Sequence, residues 1–261
     1  MSGVEIERSG AVATLWLNRP ERHNAFDDAL IAELSTALAE LAADESVRVV
    51  LLAGRGKSFS AGADLAWMKR MAGYTQAENE ADAQAMAEML HRLESLPKPT
   101  IALVQGAAMG GGVGLVAACD IALAADDAKF ALSEVRLGLI PAAISPYVIA
   151  AIGPKAARRY FLTAERFDAH QAMALGLVSA VVPVAELAAE GARLADLLGQ
   201  NGPAAMAEAK RLIADVTGRP IDAALRAETA RRIARQRAGG GPMAIASSAS
   251  SACPAWASAS E

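Results

Sequence analysis

Hydrophobic and polar residues follow two different periods in the N-terminal part of the chain. From Val4 to Leu17 they alternate with a period of two on either side of Ser9-Gly10, which predicts two strands joined by a turn. After Asp27, an expected N-cap, apolar residues recur at the spacing of one helix face. Residues 47–53 then form a nearly unbroken apolar run, which is typical of a strand covered on both faces. This order of elements predicts an α/β fold.

The same succession continues further along the chain. A helix is predicted over 76–96 and strands over 100–105 and 121–125, with a glycine run and a short helix between the two strands. Beyond Pro141 a short strand is predicted over 177–182. The remaining spacing there predicts helices near 144–152, 154–163, 168–174, 184–199, 203–216 and 220–237.

These patterns divide the chain into three parts. Residues 1–200 are expected to form the α/β core, and residues 201–238 a C-terminal helical region. In residues 239–261, 18 of the 23 positions are Gly, Ala, Ser or Pro, so there is little apolar surface to bury. We expect this tail to be mobile.

Composition and charge narrow the classes of function. The chain has 261 residues, two cysteines, three histidines and a net charge of −4. The few cysteines and histidines have no metal-ligand spacing and cannot build a disulfide framework. The mild acidity argues against nucleic acid as the main ligand. Without a long apolar run or a signal peptide, we expect a cytoplasmic protein with no membrane partner.

Two glycine-containing segments resemble nucleotide-binding motifs but lack a required residue. In 54–58 the sequence GRGKS ends like a phosphate-binding loop, yet Leu51 stands where the first glycine belongs. In 110–115 the glycine run has Leu115 in place of the last glycine of a dinucleotide motif. Neither segment predicts a nucleotide site.

Two other loops have more informative chemistry. Residues 59–65 and 106–112 each follow a predicted strand, lead into a predicted helix and consist mainly of small residues. Such loops leave backbone N–H groups unpaired at the positive end of a helix, where a ligand can approach closely. Side by side, they could direct two amides at one oxygen and form an oxyanion hole. The alternative is that the glycines serve only tight turns or close packing.

Glu134 is a candidate acid or base. It lies in the segment 130–141, which contains almost no other acidic residue. A carboxyl group in apolar surroundings has a raised pKa, which suits proton transfer near neutral pH. The alternatives are an ion pair with Arg136 or an exposed turn.

Together these segments resemble the crotonase superfamily of enoyl-CoA hydratases and isomerases. The resemblance extends from about Val4 to Arg237, and its motifs occur in the family's order. Within the family, the segment 133–147 is similar to enzymes of the methylglutaconyl-CoA and carboxygeranoyl-CoA hydratase type. The motifs are 18–20, 60–65, 110–112 with 119–121, 133–141 and 162–167.

The resemblance implies a spiral of ββα units, followed by helices that assemble trimers or hexamers. It implies that an acyl-CoA thioester is the substrate, that the amides of Ala63 and Gly111 form the oxyanion hole, and that no metal or redox cofactor is needed. Catalysis would involve Glu134. The positions expected to contact the substrate are Arg22, Ala61, Asp64, Leu65, Gly110 and Gly114.

One departure from the family pattern concerns catalysis. Typical hydratases carry two glutamates, of which the second matches Glu134 while the first falls at Gly114. Glycine cannot activate water, so hydration would depend on Glu134 alone or on water held by other groups. A single carboxylate also resembles the Δ3,Δ2-enoyl-CoA isomerases, and an acyl-CoA binder without catalysis is a third reading. The resemblance around Glu134 favours the hydratase.

Overall fold

A computed structural model describes residues 2–238, which contain a six-stranded and a three-stranded sheet. The larger sheet has the order β1-β2-β3-β4-β6-β9, in which β1 is antiparallel to β2 and the other neighbours are parallel. The smaller sheet has the order β5-β7-β8. The strands are β1 (Val4–Ser9), β2 (Val12–Leu17), β3 (Val49–Gly54), β4 (Thr100–Val104), β5 (Ala107–Met109), β6 (Ile121–Ala125), β7 (Lys129–Ala131), β8 (Phe167–Asp168) and β9 (Ala180–Val182).

Helices connect these strands and continue beyond them. Three short 3-10 helices cover Pro20–Arg22, Glu134–Leu137 and Val184–Glu186. The α-helices are α1 (Asp28–Ala43), α2 (Leu65–Met71), α3 (Gln76–Glu94), α4 (Gly111–Ala118), α5 (Ser145–Thr163), α6 (Ala169–Leu175), α7 (Leu187–Gly199), α8 (Pro203–Val216) and α9 (Ala223–Ala238).

Strand β3 shows why the apolar run after residue 47 predicted a covered strand. All six of its residues are buried. Val50 and Leu52 pack into a large apolar cluster, while Val49, Leu51 and Ala53 pack into a second cluster that includes residues of α7. Because successive side chains of a strand point to opposite faces, helices on both faces require an unbroken apolar run.

The local signals for helix ends are confirmed where they were expected. The side chain of Asp27 accepts a hydrogen bond of 2.9 Å from the Leu30 amide and caps α1. The two helices predicted over 144–152 and 154–163 are both present, but they form α5 with a kink at Gly153, whose φ of +73° precedes Pro154.

The described part of the chain divides into two compact units, with the boundary between Asn201 and Gly202. The first unit contains both sheets, and the second contains α8 and α9. The assignment of 201–238 to subunit assembly stays a prediction, and the expectation for 239–261 concerns residues outside the described range. Among the described helices, none is both long and apolar enough to cross a membrane.

Candidate active site

The two small-residue loops lie side by side, held by backbone hydrogen bonds. The Ser60 amide donates to the Ala107 carbonyl at 2.9 Å, and the Met109 amide donates to the Ser60 carbonyl at 2.9 Å. A Cβ atom at Gly112 would lie 2.9 Å from the Ser60 oxygen, so only glycine permits this approach. Gly112 therefore serves close packing, and this packing also brings the two loops together.

The loop that contains Ala63 pairs with Phe26 like a short strand, and the N–H of Ala63 points away from Phe26. Phe26 donates to the Gly62 carbonyl at 2.7 Å and accepts from the Asp64 amide at 2.7 Å, a parallel bridge that flanks Ala63 on both sides. In this pattern the N–H of the flanked residue faces the opposite direction. Within residues 2–238, the Ala63 amide donates no hydrogen bond.

The amide of Gly111 is free for a different reason. Gly111 is the first residue of α4, so its N–H has no carbonyl four residues earlier in the helix to bond. This N–H donates no hydrogen bond to any described residue. Ala63 and Gly111 both line one cleft, which therefore contains two unpaired backbone donors from separate loops.

Glu134 lies at the start of the 3-10 helix that follows β7, and its side chain reaches the same cleft. A Cβ atom at Gly110 would lie 3.0 Å from its Oε1 atom, so the carboxylate stands beside the glycine loop. Its Oε2 atom is buried and has no hydrogen-bond partner among the described residues. Burial raises the pKa of the Glu134 carboxyl above its ordinary value of 4.5, while a hydrogen bond from its own backbone opposes the shift.

The surroundings of Glu134 bear on the two alternative explanations of this residue, an ion pair with Arg136 and an exposed turn. Among the described residues no ion pair joins Glu134 to Arg136, and Glu134 is half-buried with its Oε2 atom fully buried, although residues 136–140 after it are exposed. The cleft has a volume of about 180 Å³, and Glu134 is the one charged residue among the described residues that line it. Its lining is Phe26, Ala63, Trp67, Met86, Gly111, Glu134, Ile140, Pro141, Ala142, Ala143 and Ile144.

Comparison with known proteins decides the family. Residues 7–233 match the enoyl-CoA hydratase/isomerase family. The chain belongs to this family. The crotonase-like α/β fold implied by the sequence is thereby confirmed.

Individual relatives agree over most of their length. A solved enoyl-CoA hydratase from Shewanella pealeana is 45% identical, with a TM-score of 0.88 over 90% of this chain and 88% of that chain. The short-chain-enoyl-CoA hydratase of Clostridium acetobutylicum is 34% identical over 88% of this chain and 87% of the relative. The 2,3-dehydroadipyl-CoA hydratase of Escherichia coli is 35% identical over 82% of each chain.

The departure from the family pattern at Gly114 has a clear structural counterpart. Gly114 is buried within α4, and a Cβ atom there would lie 2.3 Å from Cγ2 of Ile144. Gly114 does not reach the cleft lining, because Ile144 stands between it and the cleft space. An acidic side chain at position 114 would require Ile144 to move.

Asp64 holds together the loop that was expected to meet the substrate. Its carboxylate accepts hydrogen bonds from the amides of Ala66 at 2.8 Å and Trp67 at 3.2 Å and thereby caps α2. The Arg22 guanidinium contacts it at 3.1 Å. Burial opposes ionisation, but these three donors together lower the pKa of Asp64. The carboxylate is thus occupied by the fold, and Arg22 retains a half-exposed side chain.

Exposed and buried residues alternate along the segment around Asp64, which therefore has one exposed edge. Ala61, Ala63 and Leu65 are exposed, while Gly62 and Asp64 between them are buried. Leu65 is 71% exposed. Among the expected substrate contacts, Ala61, Leu65 and the free side of Arg22 are accessible to a ligand that extends from the cleft.

Sequence reasoning missed most of the apolar cleft wall. Phe26, Trp67, Met86 and Ile144 come from four separate segments, and none of them carries a chemical signature. Ile144 had one usable signal, since it lies within the segment 133–147 that carries the resemblance. Among residues 2–238 no group of acidic, histidine or cysteine residues is placed to hold a metal ion.

Proposed function

We propose that this protein is an enoyl-CoA hydratase, which adds water across the 2,3 double bond of an acyl-CoA thioester. The observation that carries the proposal is the presence, in one apolar cleft, of two backbone amides that donate no hydrogen bond among the described residues and of a carboxylate whose Oε2 atom has no partner among them. The names of the relatives support the same reaction.

The amides of Ala63 and Gly111 are proposed to bind the thioester carbonyl oxygen. When a nucleophile adds at C3, the electrons of the double bond move toward the carbonyl and produce an enolate whose charge lies on that oxygen. Donors positioned before the reaction stabilise this charge, each by roughly 3 kcal/mol in comparable sites. The positive end of α4 adds to the effect.

Glu134 is proposed to transfer the proton. Its carboxylate accepts a proton from water while the water oxygen forms a bond to C3, and the resulting carboxylic acid then returns the proton to C2 of the enolate. The products are the 3-hydroxyacyl thioester and the original carboxylate, so the atoms and charges balance. The raised pKa of Glu134 makes it a stronger base than an exposed glutamate.

The remaining expected substrate contacts are proposed to hold the coenzyme A part of the substrate. Ala61 and Leu65 would flank the pantetheine arm along the exposed edge, and Arg22, fixed by Asp64, would face its phosphates. Gly110 lets the chain pass close to the Glu134 carboxylate. In this proposal coenzyme A belongs to the substrate, and no further cofactor takes part.

The single carboxylate favours one second candidate, a Δ3,Δ2-enoyl-CoA isomerase. Glu134 would then remove a proton from C2 of a 3-enoyl thioester and return it at C4, which needs no second acid. An assay of thioester absorbance separates the candidates. Hydration of a 2-enoyl-CoA removes the conjugated absorbance, isomerisation of a 3-enoyl-CoA creates it, and a protein that only binds acyl-CoA changes neither.

The protein is further proposed to assemble as a homotrimer or a pair of trimers, as the resemblance implies. Light scattering of the purified full-length chain after size exclusion tests this directly. A mass of three or six times 26.9 kDa is expected, and a monomer mass would contradict the proposal.

A further inference from the structure

One wall of the cleft is the segment from Ile140 to Ile144, and its two ends differ in exposure. Ile140 is 74% exposed, whereas Ile144 is 3% exposed. Both line the cleft. Ile140 therefore stands at the mouth of the cleft, and Ile144 closes its inner end.

The position of Ile144 depends on the absence of a side chain at Gly114. A Cβ atom on Gly114 would lie 2.3 Å from Cγ2 and 2.9 Å from Cβ of Ile144, far inside van der Waals contact. Leu90 lies on the other side of the same space, 3.7 Å from that atom. Since Gly114 is in a helix that packs against α5, any side chain there would drive Ile144 toward the cleft.

The cleft is small and carries little charge. Its volume of about 180 Å³ is similar to that of an engineered protein cavity of about 150 Å³ that binds one benzene molecule. Among the described lining residues there is no cation, so a carboxylate on the acyl group would lose water contacts there without gaining an ionic partner.

We propose that Ile144, packed against Gly114, is the specificity-determining residue of the acyl site and restricts the substrate to short, uncharged acyl groups. This preference departs from the carboxylated acyl groups of the enzymes that segment 133–147 resembles. The inference rests on the proposed function, because it places the thioester at the amides of Ala63 and Gly111 and the acyl chain toward Ile144. Ile144 itself takes no part in proton transfer. It sets how deep the acyl chain can extend.

Equilibrium binding of saturated acyl-CoAs tests the inference without requiring turnover. Isothermal titration calorimetry with butyryl-, decanoyl- and glutaryl-CoA measures size and charge preference on the full-length protein. The wild type is expected to bind butyryl-CoA most tightly. Ile144→Ala is expected to lower the Kd for decanoyl-CoA about tenfold relative to butyryl-CoA, because several more methylenes become buried.

A matched control and a substitution in the opposite direction accompany this variant. Ile149→Ala makes the same change on α5, outside the cleft lining, and is expected to leave the ratio of the two Kd values unchanged. Gly114→Ala is expected to push Ile144 inward and weaken butyryl-CoA binding about tenfold. The double variant Gly114→Ala/Ile144→Ala is expected to recover that binding, since contacting residues are coupled. Circular dichroism verifies that each variant is folded.

Each result has a defined meaning. An unchanged decanoyl-to-butyryl ratio in Ile144→Ala, or Gly114→Ala binding like wild type, overturns the role of Ile144. Should Ile144→Ala not fold, Gly114→Ala alone decides. Glutaryl-CoA binding as tight as butyryl-CoA overturns the preference for uncharged groups. The expected binding pattern without any turnover supports the inference while refuting the hydratase, and no binding of any acyl-CoA refutes both.

Discussion

At the scale of single residues, the account depends on Glu134. Replacing it by glutamine keeps the shape of the side chain but removes the base. We expect Glu134→Gln to lower kcat for 2-enoyl-CoA at least about a hundredfold, with a smaller change in KM. Glu45→Gln, at an exposed position on the loop before β3, is the matched control and should retain wild-type kcat. A Glu134→Gln enzyme within about threefold of wild type would remove Glu134 from the mechanism.

The same residue links activity to stability through pH. Because burial raises the folded-state pKa of Glu134, the folded chain binds this proton more tightly than the unfolded chain does. The charged carboxylate therefore destabilises the fold as pH rises from the ordinary value of 4.5 through the folded pKa.

Glu134→Gln is accordingly expected to unfold at a higher temperature than wild type at neutral pH. A difference of about 1 kcal/mol would raise Tm by roughly 2–4 °C in a protein of this size. The advantage should disappear as the pH approaches 4.5, where the wild-type carboxyl is also neutral. Thermal unfolding followed by circular dichroism across this range measures it, and a Tm difference that does not depend on pH would disagree with a buried charge.

The pH profile of activity follows from the same shift. Glu134 must be ionised to accept a proton from water, so kcat is expected to fall as the pH drops through its raised pKa. The acidic limb of the profile should lie above the 4.5 of an ordinary glutamate. A limb at or below that value would mean that the substrate-bound carboxylate is not desolvated.

At the scale of elements, the site exists because two strand-to-helix loops lie so close together that only glycine fits at position 112. Gly112→Ala places a Cβ atom 2.9 Å from the Ser60 carbonyl oxygen, so the loops must separate. We expect about a tenfold loss in kcat, because a shift of this kind misplaces the two amides, and a lower Tm. Gly199→Ala, at the end of α7 where a Cβ atom meets nothing within 4 Å, is the control. Wild-type activity and Tm in Gly112→Ala would show that loop spacing is not critical.

The elements also show what sequence patterns can and cannot predict. Long elements such as α1, α3 and β3 were predicted because several periods of apolar spacing fit within them. β5, β7 and β8 were missed, since strands of two or three residues are too short to display alternation, and α2 was predicted only as a helix after residues 59–65, without an end. The small-residue loops and Glu134 could be predicted as site residues, because unpaired amides and an acid in apolar surroundings are recognisable in the sequence.

The contact between Ile144 and Gly114 had no such signal. The two residues are distant in sequence, and no pattern connects the missing acid at Gly114 with Ile144. Only the tertiary packing of α4 against α5 shows that the aliphatic side chain fills the space above the glycine. The sequence indicated that an acid was absent at position 114, but not what occupies its place.

At the scale of the whole molecule, the described residues that line the cleft all belong to the first compact unit, while α8 and α9 belong to the second. The chain is a member of a family that includes both hydratases and isomerases, and it retains one carboxylate in the cleft. Family membership alone therefore does not distinguish the two reactions. The distinction depends on whether a single glutamate can both activate water and protonate C2.

The most direct test is a spectrophotometric assay of the purified wild-type protein with crotonyl-CoA, run beside Glu134→Gln. The account predicts that wild type removes the absorbance of the conjugated thioester and produces 3-hydroxybutyryl-CoA, and that the variant is at least about a hundredfold slower. Crotonyl-CoA left unchanged by the wild type, while a 3-enoyl-CoA gains absorbance, would contradict hydration and establish the isomerase instead.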